Sequence, residues 1–378
     1  MVVYLVAFAL TILFIQRATF YYNKISKLKR EKNLTESNAN EIIYTDKQAR
    51  NDKLRYYILF VLALFPLFFV AAVRYDVGTD FFYTYVPNFY KILNGEMPYS
   101  ELGFNVLNKF IQLFTSNPQW LFVVTAFIFT FVLLQTIIKY SENVSLSVIV
   151  VLLSCIFFVF LNNMRQSIAV VFFLRAFPYI VKDEFLKYTA CIFLGCLFHL
   201  SAILMIIPCI FVNLKFFRKN FLAFAIIITL CLPVLCQVMK AVLMYTKYSY
   251  FFESDFNNNN ANSVNIIYNF IFFVMSYIVL KDKILKDKVA YALLVMQFLA
   301  FWVSSVSLFI SISEMIARIT VYFQVFQILL IPYCVKSQDD KAGKVIYLSS
   351  YLLAYGVYLL YFIILKGYHQ VLPYHWIF

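Results

Sequence analysis

Charge is scarce in this sequence. Asp, Glu, Lys and Arg make up 13% of its 378 residues, about half the share found in an ordinary soluble domain. That scarcity excludes a freely soluble globular fold. The signatures of nucleotide and metal chemistry are also missing. There is no Gly-rich phosphate loop, HExxH helix, DxD-type metal pair or nucleophile elbow, which argues against a nucleotide-dependent enzyme or an ATP-driven pump. The seven cysteines lie within or at the edges of apolar runs and make no CxxC or Cys/His spacing. They read as small core residues, so no disulfide, metal site or cofactor is expected. Met1 to Phe20 lacks a basic leading segment and a small-residue cleavage site, and it is expected to remain as a first span.

What the sequence has is apolar length. Hydrophobic residues account for 63% of the chain and mean hydropathy is +0.79. Several runs reach the roughly 18–20 residues that cross a bilayer. The expected fold is all-α, a polytopic helical membrane protein of about 11–12 transmembrane segments forming one integral domain over residues 1–378. The net charge of +13 would point to nucleic acid in a soluble protein. Here the basic residues fall mainly in alternate loops, as the positive-inside rule requires, so nucleic acid is not an expected partner.

Taken in order, Val2–Phe20 and Tyr56–Val73 are spans joined by a basic cytoplasmic loop, residues 23–55. Residues 74–118 form the largest exterior segment. Within it Thr79 is an expected N-cap, and Phe82, Tyr85, Val86, Phe89 and Leu93 recur at helical spacing before a stop at Asn94-Gly95. A second amphipathic piece runs from about Ser100 to Phe114, with Phe104, Leu107, Ile111 and Phe114 on one side. Both have the pattern of helices lying in the membrane interface. Gln119–Ile138 is a span, and Ser145–Ile180 is two spans broken at Asn162-Asn163-Met164-Arg165-Gln166.

Tyr188–Val212 is too short for two full crossings, which need roughly 40 residues, yet the charge rule requires an even number. Two short helices or a re-entrant hairpin turning at His199-Leu200-Ser201 satisfy both constraints, and put His199 at a cavity wall. Phe221–Ala241, Val264–Leu280, Val289–Ile310, Glu314–Tyr333 and Val345–Leu365 complete the spans. Residues 242–263 form an exterior loop carrying Tyr245, Tyr248, Tyr250 and the tract Asn257–Asn260. Residues 366–378 form an exterior tail.

Ionisable groups at membrane depth are costly, and they usually face a cavity or a partner. The exterior side carries Arg74, Asp76, Asp80, Glu101, Arg165, Glu314 and Arg318, with His199 the only histidine before the tail. Glu314, Arg318 and Tyr322 recur at i, i+4, i+8 on one helix face. That spacing fits either an intrahelical ion pair or an arginine oriented toward an anion. Arg165 at its turn fits either a helix end or a guanidinium facing phosphate oxygens. Exterior tyrosines, Tyr83 among them, fit sugar stacking or the interfacial aromatic belt.

Five stretches, in order, resemble the EpsG/Wzy-type polysaccharide polymerases. They are Arg74-Tyr75-Asp76-Val77-Gly78-Thr79-Asp80-Phe81-Phe82-Tyr83; Glu101-Leu102-Gly103-Phe104 with Leu107-Asn108; Asn163-Met164-Arg165-Gln166-Ser167-Ile168-Ala169; Phe198-His199-Leu200-Ser201-Ala202-Ile203-Leu204; and Ala317-Arg318-Ile319-Thr320-Val321-Tyr322-Phe323. The tail stretch Leu372-Pro373-Tyr374-His375 is similar to family endings. Phe82 departs from the pattern, standing where the family more often has an acidic or polar residue.

The resemblance implies a glycosyltransferase of the bacterial cytoplasmic membrane. It would join undecaprenyl-pyrophosphate-linked oligosaccharide repeat units at the outer face, into capsular, exopolysaccharide or O-antigen-type polymer. The bilayer and, in the same pathway, a flippase and chain-length regulators are the implied partners. Arg165 and Arg318 are expected to stabilise the leaving pyrophosphate, with Asp76, Asp80 or His199 as the base. Arg74, Gly78, Thr79, Tyr83, Glu101, Gln166, Glu314 and Tyr322 are expected to bind substrate. Asp76 and Asp80 beside Gly78-Thr79 would repel a pyrophosphate, so that turn is expected to face sugar or arginine rather than phosphate. A transporter or flippase of lipid-linked sugars is the alternative. It should show internal repeats and midplane charges, which this sequence does not. A membrane acyltransferase would rest on His199 alone.

Overall fold

Lipid offers no hydrogen-bond partners, so each apolar stretch must satisfy its own backbone, and it does so as helix. The computed structural model describes residues 1–32, 39–246, 249, 252 and 263–378, leaving aside the side chains of residues 29–32 and 39–46. The helices are α1 (Val2–Lys32), α2 (Ala39–Ala72), α3 (Val86–Leu93), α4 (Leu102–Gln112), α5 (Gln119–Tyr140), α6 (Val144–Leu153), α7 (Ile156–Asn162), α8 (Met164–Val181) and α9 (Phe185–Phe198). They continue as α10 (Ile206–Asn213), α11 (Lys215–Lys219), α12 (Phe221–Leu230), α13 (Leu232–Met244), α14 (Ser263–Leu280), α15 (Lys288–Ser305), α16 (Ser313–Gln324), α17 (Gln327–Lys336) and α18 (Lys341–Leu359). Among the described residues seven helices are long and apolar enough to cross a membrane, and up to ten spans result if each of three bent pairs counts as one. The shorter apolar helices Phe185–Phe198 and Leu200–Asn213 are additional. This is a polytopic helical membrane protein.

Several boundaries differ from the sequence expectation. Residues 23–55 are mostly not a loop, because α1 and α2 run on into them beyond the apolar runs. Lys24 meets Asp52 at 2.8 Å, and Asp52 is only 1% exposed, so the polar ends pair with each other and prolong the helices. The stretch from Ser145 to Asn162 is not one straight span. It bends by 53° where Cys155 takes a left-handed φ of 63°. The span from Phe221 bends by 55° at Cys231, where Pro233 removes a backbone donor from the next turn. The tract Asn257–Asn260, with Tyr248 and Tyr250, lies outside the described residues.

The chain divides into two units: Met1–Ser100, Asn105–Met164 and Ile363–Phe378 in the first, Glu101–Phe104 and Arg165–Phe362 in the second. In the first, α1 packs along α2 and α6, and α2 packs along α5. The tail does not stand free. Tyr75 N donates to His375 O (3.0 Å), Ile377 N to Val73 O (3.0 Å), Gly78 N to Gln370 O (3.2 Å) and Thr79 N to His369 O (3.1 Å). Arg74 and Trp376 form an isolated antiparallel bridge. Asp80, not the expected Thr79, stands at the cap position of the helical turn that follows, without a side-chain cap bond. The following turn, Phe81–Tyr85, is a widened π turn that leads into Pro87, which has no N–H to give. In the second amphipathic piece Phe104 and Ile111 are buried, but Phe114 lies past the end of α4 and is 77% exposed.

The second unit is built around α15, which is buried on nearly every side. A fully apolar helix surrounded by apolar helices has no unique register, and here polar side chains supply one. Gln327 Nε2 donates to Gln297 Oε1 (2.9 Å), while Gln327 Oε1 accepts from Tyr268 (2.7 Å) and Tyr355 (3.0 Å). Gln297 Nε2 donates to Asn269 O (3.1 Å), and Gln324 Nε2 to Asn265 Oδ1 (2.8 Å). Gln327 thus joins α14, α15 and α18 to α17 with no exposed surface. Replacing Gln327 by Leu strands two tyrosine hydroxyls and one amide oxygen. It should destabilise the detergent-solubilised protein by about 1–3 kcal/mol, read as a fall in melting temperature. Tyr268→Phe should cost less, because Gln327 Oε1 keeps Tyr355.

Candidate functional site

The second unit gathers three ionisable residues from three distant stretches of sequence. Glu101 stands immediately before α4, Arg165 lies in the first turn of α8, and His199 is the extended residue (φ −156°, ψ 115°) where α9 ends. That break falls where the length argument put the turn. Glu101 Oε2 accepts from Arg165 Nη1 at 2.8 Å. Glu101 Oε1 lies 3.4 Å from the Leu200 N–H that donates to it, and 3.3 Å from His199 Nδ1. The histidine contact has ion-pair distance but is off the axis of a hydrogen bond. The carboxylate is only 6% exposed, whereas the Arg165 and His199 side chains are 24% and 23% exposed. A buried anion is therefore fronted by two partly accessible nitrogen groups.

Gly103 makes this proximity possible. A Cβ built on it would fall 2.7 Å from Leu197 O and 2.8 Å from Leu197 Cβ, closer than packed atoms allow. The stretch after Glu101 thus lies against the last turn of α9, two residues before His199.

Two further hydrogen bonds tie this region to α16. Gln166 Nε2 donates to the backbone carbonyl of Arg318, and Gln166 is buried. Ser201 Oγ donates to Tyr322 Oη at 3.2 Å, and Tyr322 has no exposure. Gln166 and Tyr322 consequently hold α8 and the His199 turn to α16, rather than presenting themselves to solvent. Glu314 and Arg318 are partly exposed, one turn apart on α16.

The first unit holds the Arg74–Tyr83 stretch. Arg74 is fully buried. Its guanidinium donates to Ala71 O (2.5 Å) and contacts Met164 Sδ (3.0 Å), and it lies over the rings of Phe122 (4.9 Å) and Phe160 (5.7 Å). Its Nε has no hydrogen-bond partner among the described residues. Burial pushes its pKa down to about 10, which still leaves it charged at neutral pH. Sequence reasoning expected Arg74 to bind substrate, but a side chain without surface supports the loop instead. Gly78 is also internal. Its φ of +95° suits glycine, and a Cβ there would meet Leu161 O at 2.5 Å.

Asp76 is exposed, with a left-handed φ of 53°, while Thr79 and Asp80 are partly exposed and Tyr83 is 83% exposed. Asp80 N donates to Asn162 Oδ1 (2.8 Å), and Asn162 Nδ2 reaches His369 Nδ1 (2.9 Å). Neither Asn162 nor His369 was singled out from sequence. An asparagine pair beside an arginine has the pattern of a turn, and no local signal shows that the tail returns to it.

A polytopic helical membrane protein with a buried carboxylate shared by an arginine and a histidine is the class that fold and site define. The chain belongs to the EpsG family, whose model matches residues 57–376, and membership suggests a polysaccharide-polymerase, glycosyltransferase-type activity. No curated protein and no solved structure matches the chain.

Gly103→Ala should separate the Glu101 stretch from α9. The expected cost is about 1–3 kcal/mol of overpacking, outweighing the helix-propensity gain of about 1 kcal/mol. Thermal melting of the purified variant against wild type measures it, and an unchanged midpoint would show that the close approach is unimportant.

Proposed function

We propose that this chain polymerises oligosaccharide repeat units carried on undecaprenyl pyrophosphate at the outer face of the bacterial cytoplasmic membrane. The Glu101–Arg165–His199 cluster is its reacting centre. The observation that carries this reading is one buried carboxylate touching both a guanidinium and an imidazole, drawn from three of the stretches that resemble the family. The reaction needs a base for the acceptor hydroxyl and positive charge for the departing pyrophosphate. Both lie in this one cluster.

His199 turns Nδ1 toward Glu101, so Nε2 is the ring nitrogen on the opposite side. In the proposed step Nε2 takes the proton of the acceptor hydroxyl as its oxygen bonds to the anomeric carbon of the donor saccharide. The bond from that carbon to the pyrophosphate oxygen breaks, and the electron pair leaves with the lipid pyrophosphate. Glu101 Oε1, 3.3 Å from His199 Nδ1, lies beside the ring as it takes that proton. Arg165, joined by Arg318, meets the charge released on pyrophosphate, where each charge-assisted hydrogen bond is worth about 1.5–3 kcal/mol. His199 is assigned as base ahead of Asp76 and Asp80 because it shares a carboxylate with the arginine the leaving group needs. Asp76, Asp80 and Tyr83 are kept for sugar hydroxyls and rings. Glu314 is proposed to orient Arg318. Gly78, Thr79, Gln166 and Tyr322 act through the backbone and the packing they hold.

Purified protein in detergent with a single lipid-linked repeat unit should yield a ladder of products, and unchanged substrate would sink the polymerase reading in favour of transport. His199→Ala should lower the rate by about 10²–10⁴-fold, the usual worth of a general base. Arg165→Ala should abolish polymer while leaving the protein membrane-inserted. Glu101→Gln should fall between wild type and these two, since the amide keeps the shape but not the charge. Wild-type rates from both His199→Ala and Arg165→Ala would overturn the assignment.

A further inference from the structure

The tail residue His369 is held in a way that packing alone does not call for. Its backbone is left-handed (φ 65°), as are Gln370 (φ 50°) and Gly367 (φ 58°). Non-glycine residues in that region each cost about 1–2 kcal/mol, and such outliers concentrate at functional sites. Two hydrogen bonds keep the turn in place, Thr79 N to His369 O and Gly78 N to Gln370 O. The imidazole is thereby fastened to the Gly78-Thr79-Asp80 turn, and it is partly exposed.

The hydrogen bonds around Asn162 decide where the imidazole carries its proton. The Asp80 backbone N–H can only donate, so the amide oxygen of Asn162 must face it. The amide nitrogen then faces His369 Nδ1 at 2.9 Å and Asn163 Oδ1 at 3.4 Å. An amide nitrogen can only donate, so His369 Nδ1 must be the acceptor. That pairing is met by a ring with its proton on Nε2. A backbone donor, relayed through one asparagine, selects the tautomer.

We infer that His369 is a saccharide-contacting residue of the first unit, presenting an Nε2–H donor to a sugar hydroxyl beside Asp80, with Asn162 as the positioning residue that fixes the tautomer. A neutral donor on the turn that carries Asp80, whose Oδ1 accepts from Thr84 Oγ1 (3.3 Å), suits a hydroxyl, which both donates and accepts. It suits a phosphate poorly, since Asp80 would repel one. This inference rests on the carbohydrate reading above and adds to it a residue that the tail supplies.

The sequence contains three histidines, so selective ¹⁵N-histidine labelling of the full chain in detergent gives few signals, assignable with His369→Gln. His369 should show the Nε2–H pattern in wild type. In Asn162→Asp, with two acceptor oxygens, the proton should move to Nδ1. Lipid-linked oligosaccharide extracted from the producing cells should shift the His369 signals, while polyprenyl pyrophosphate without sugar should not.

In the ladder assay His369→Leu should raise KM about 2- to 13-fold, the worth of one neutral hydrogen bond, with kcat little changed. His369→Gln, which keeps a side-chain donor, should restore most of that loss. An Nδ1–H pattern in wild type overturns the tautomer assignment. A response to the sugar-free lipid, or a ladder formed with no response at His369, overturns the saccharide contact alone. No ladder and no response together overturn the carbohydrate reading on which it stands.

Discussion

A carboxylate nearly sealed from water inside an apolar bundle is the constraint on which the second unit depends. Left alone, Glu101 would lose several kcal/mol of hydration or be driven to its neutral form. It stays ionised only if cations and N–H groups come to it. Arg165 and the Leu200 N–H do so, with His199 Nδ1 alongside at 3.3 Å, and each of them has to be delivered by a backbone feature. Arg165 is delivered by the first turn of α8, and Leu200 and His199 by the interruption between α9 and the turn after it. Gly103 removes the one side chain that would keep those pieces apart. The broken helix is thus a condition for satisfying the anion.

Arg74 shows the same physics with a different outcome. It is a buried cation met by a carbonyl, a thioether and two aromatic faces instead of an anion. These partners are weak individually, and a guanidinium tolerates them because its charge is spread and weakly hydrated. Such a residue holds a loop in place without offering charge to a ligand. Arg165, partly exposed and paired with a carboxylate, keeps a face toward solvent. Two arginines with the same apparent promise in sequence therefore divide by burial, one sealed within the first unit and one partly accessible in the second.

Most span positions were legible because apolar runs of about 20 residues have few alternatives in lipid. The turn at His199 was legible for a similar reason, since length and charge together left only a short pair. Glu101, Arg165 and His199 were conspicuous as ionisable residues in apolar surroundings. Their sharing of one carboxylate was not legible, because 98 residues separate Glu101 from His199 and no local pattern encodes that pairing. The bend at Cys155 was hidden because a left-handed cysteine carries no glycine or proline to mark it. The helical ends of α1 and α2 were hidden because polar composition has the pattern of a loop, while the Lys24–Asp52 pair supports it as helix. The exposed Phe114 shows that periodicity alone does not fix a helix end.

The closure of the tail is hidden in the sequence for a physical reason. Its hydrogen bonds to the Arg74–Thr79 stretch are between backbone atoms, so no side-chain chemistry announces them. Tyr4 and Tyr374 reinforce the same closure by donating to Val371 O (3.0 Å) and Val70 O (2.8 Å), and tyrosines at a membrane boundary are otherwise expected as a belt. The order of dependence then becomes clear. Gly78 lets its turn sit on α7, the tail pairs with that turn, and only then does His369 meet Asn162. A residue whose position depends on two prior backbone alignments cannot be found by scanning for titratable groups, even though the tail was in plain view.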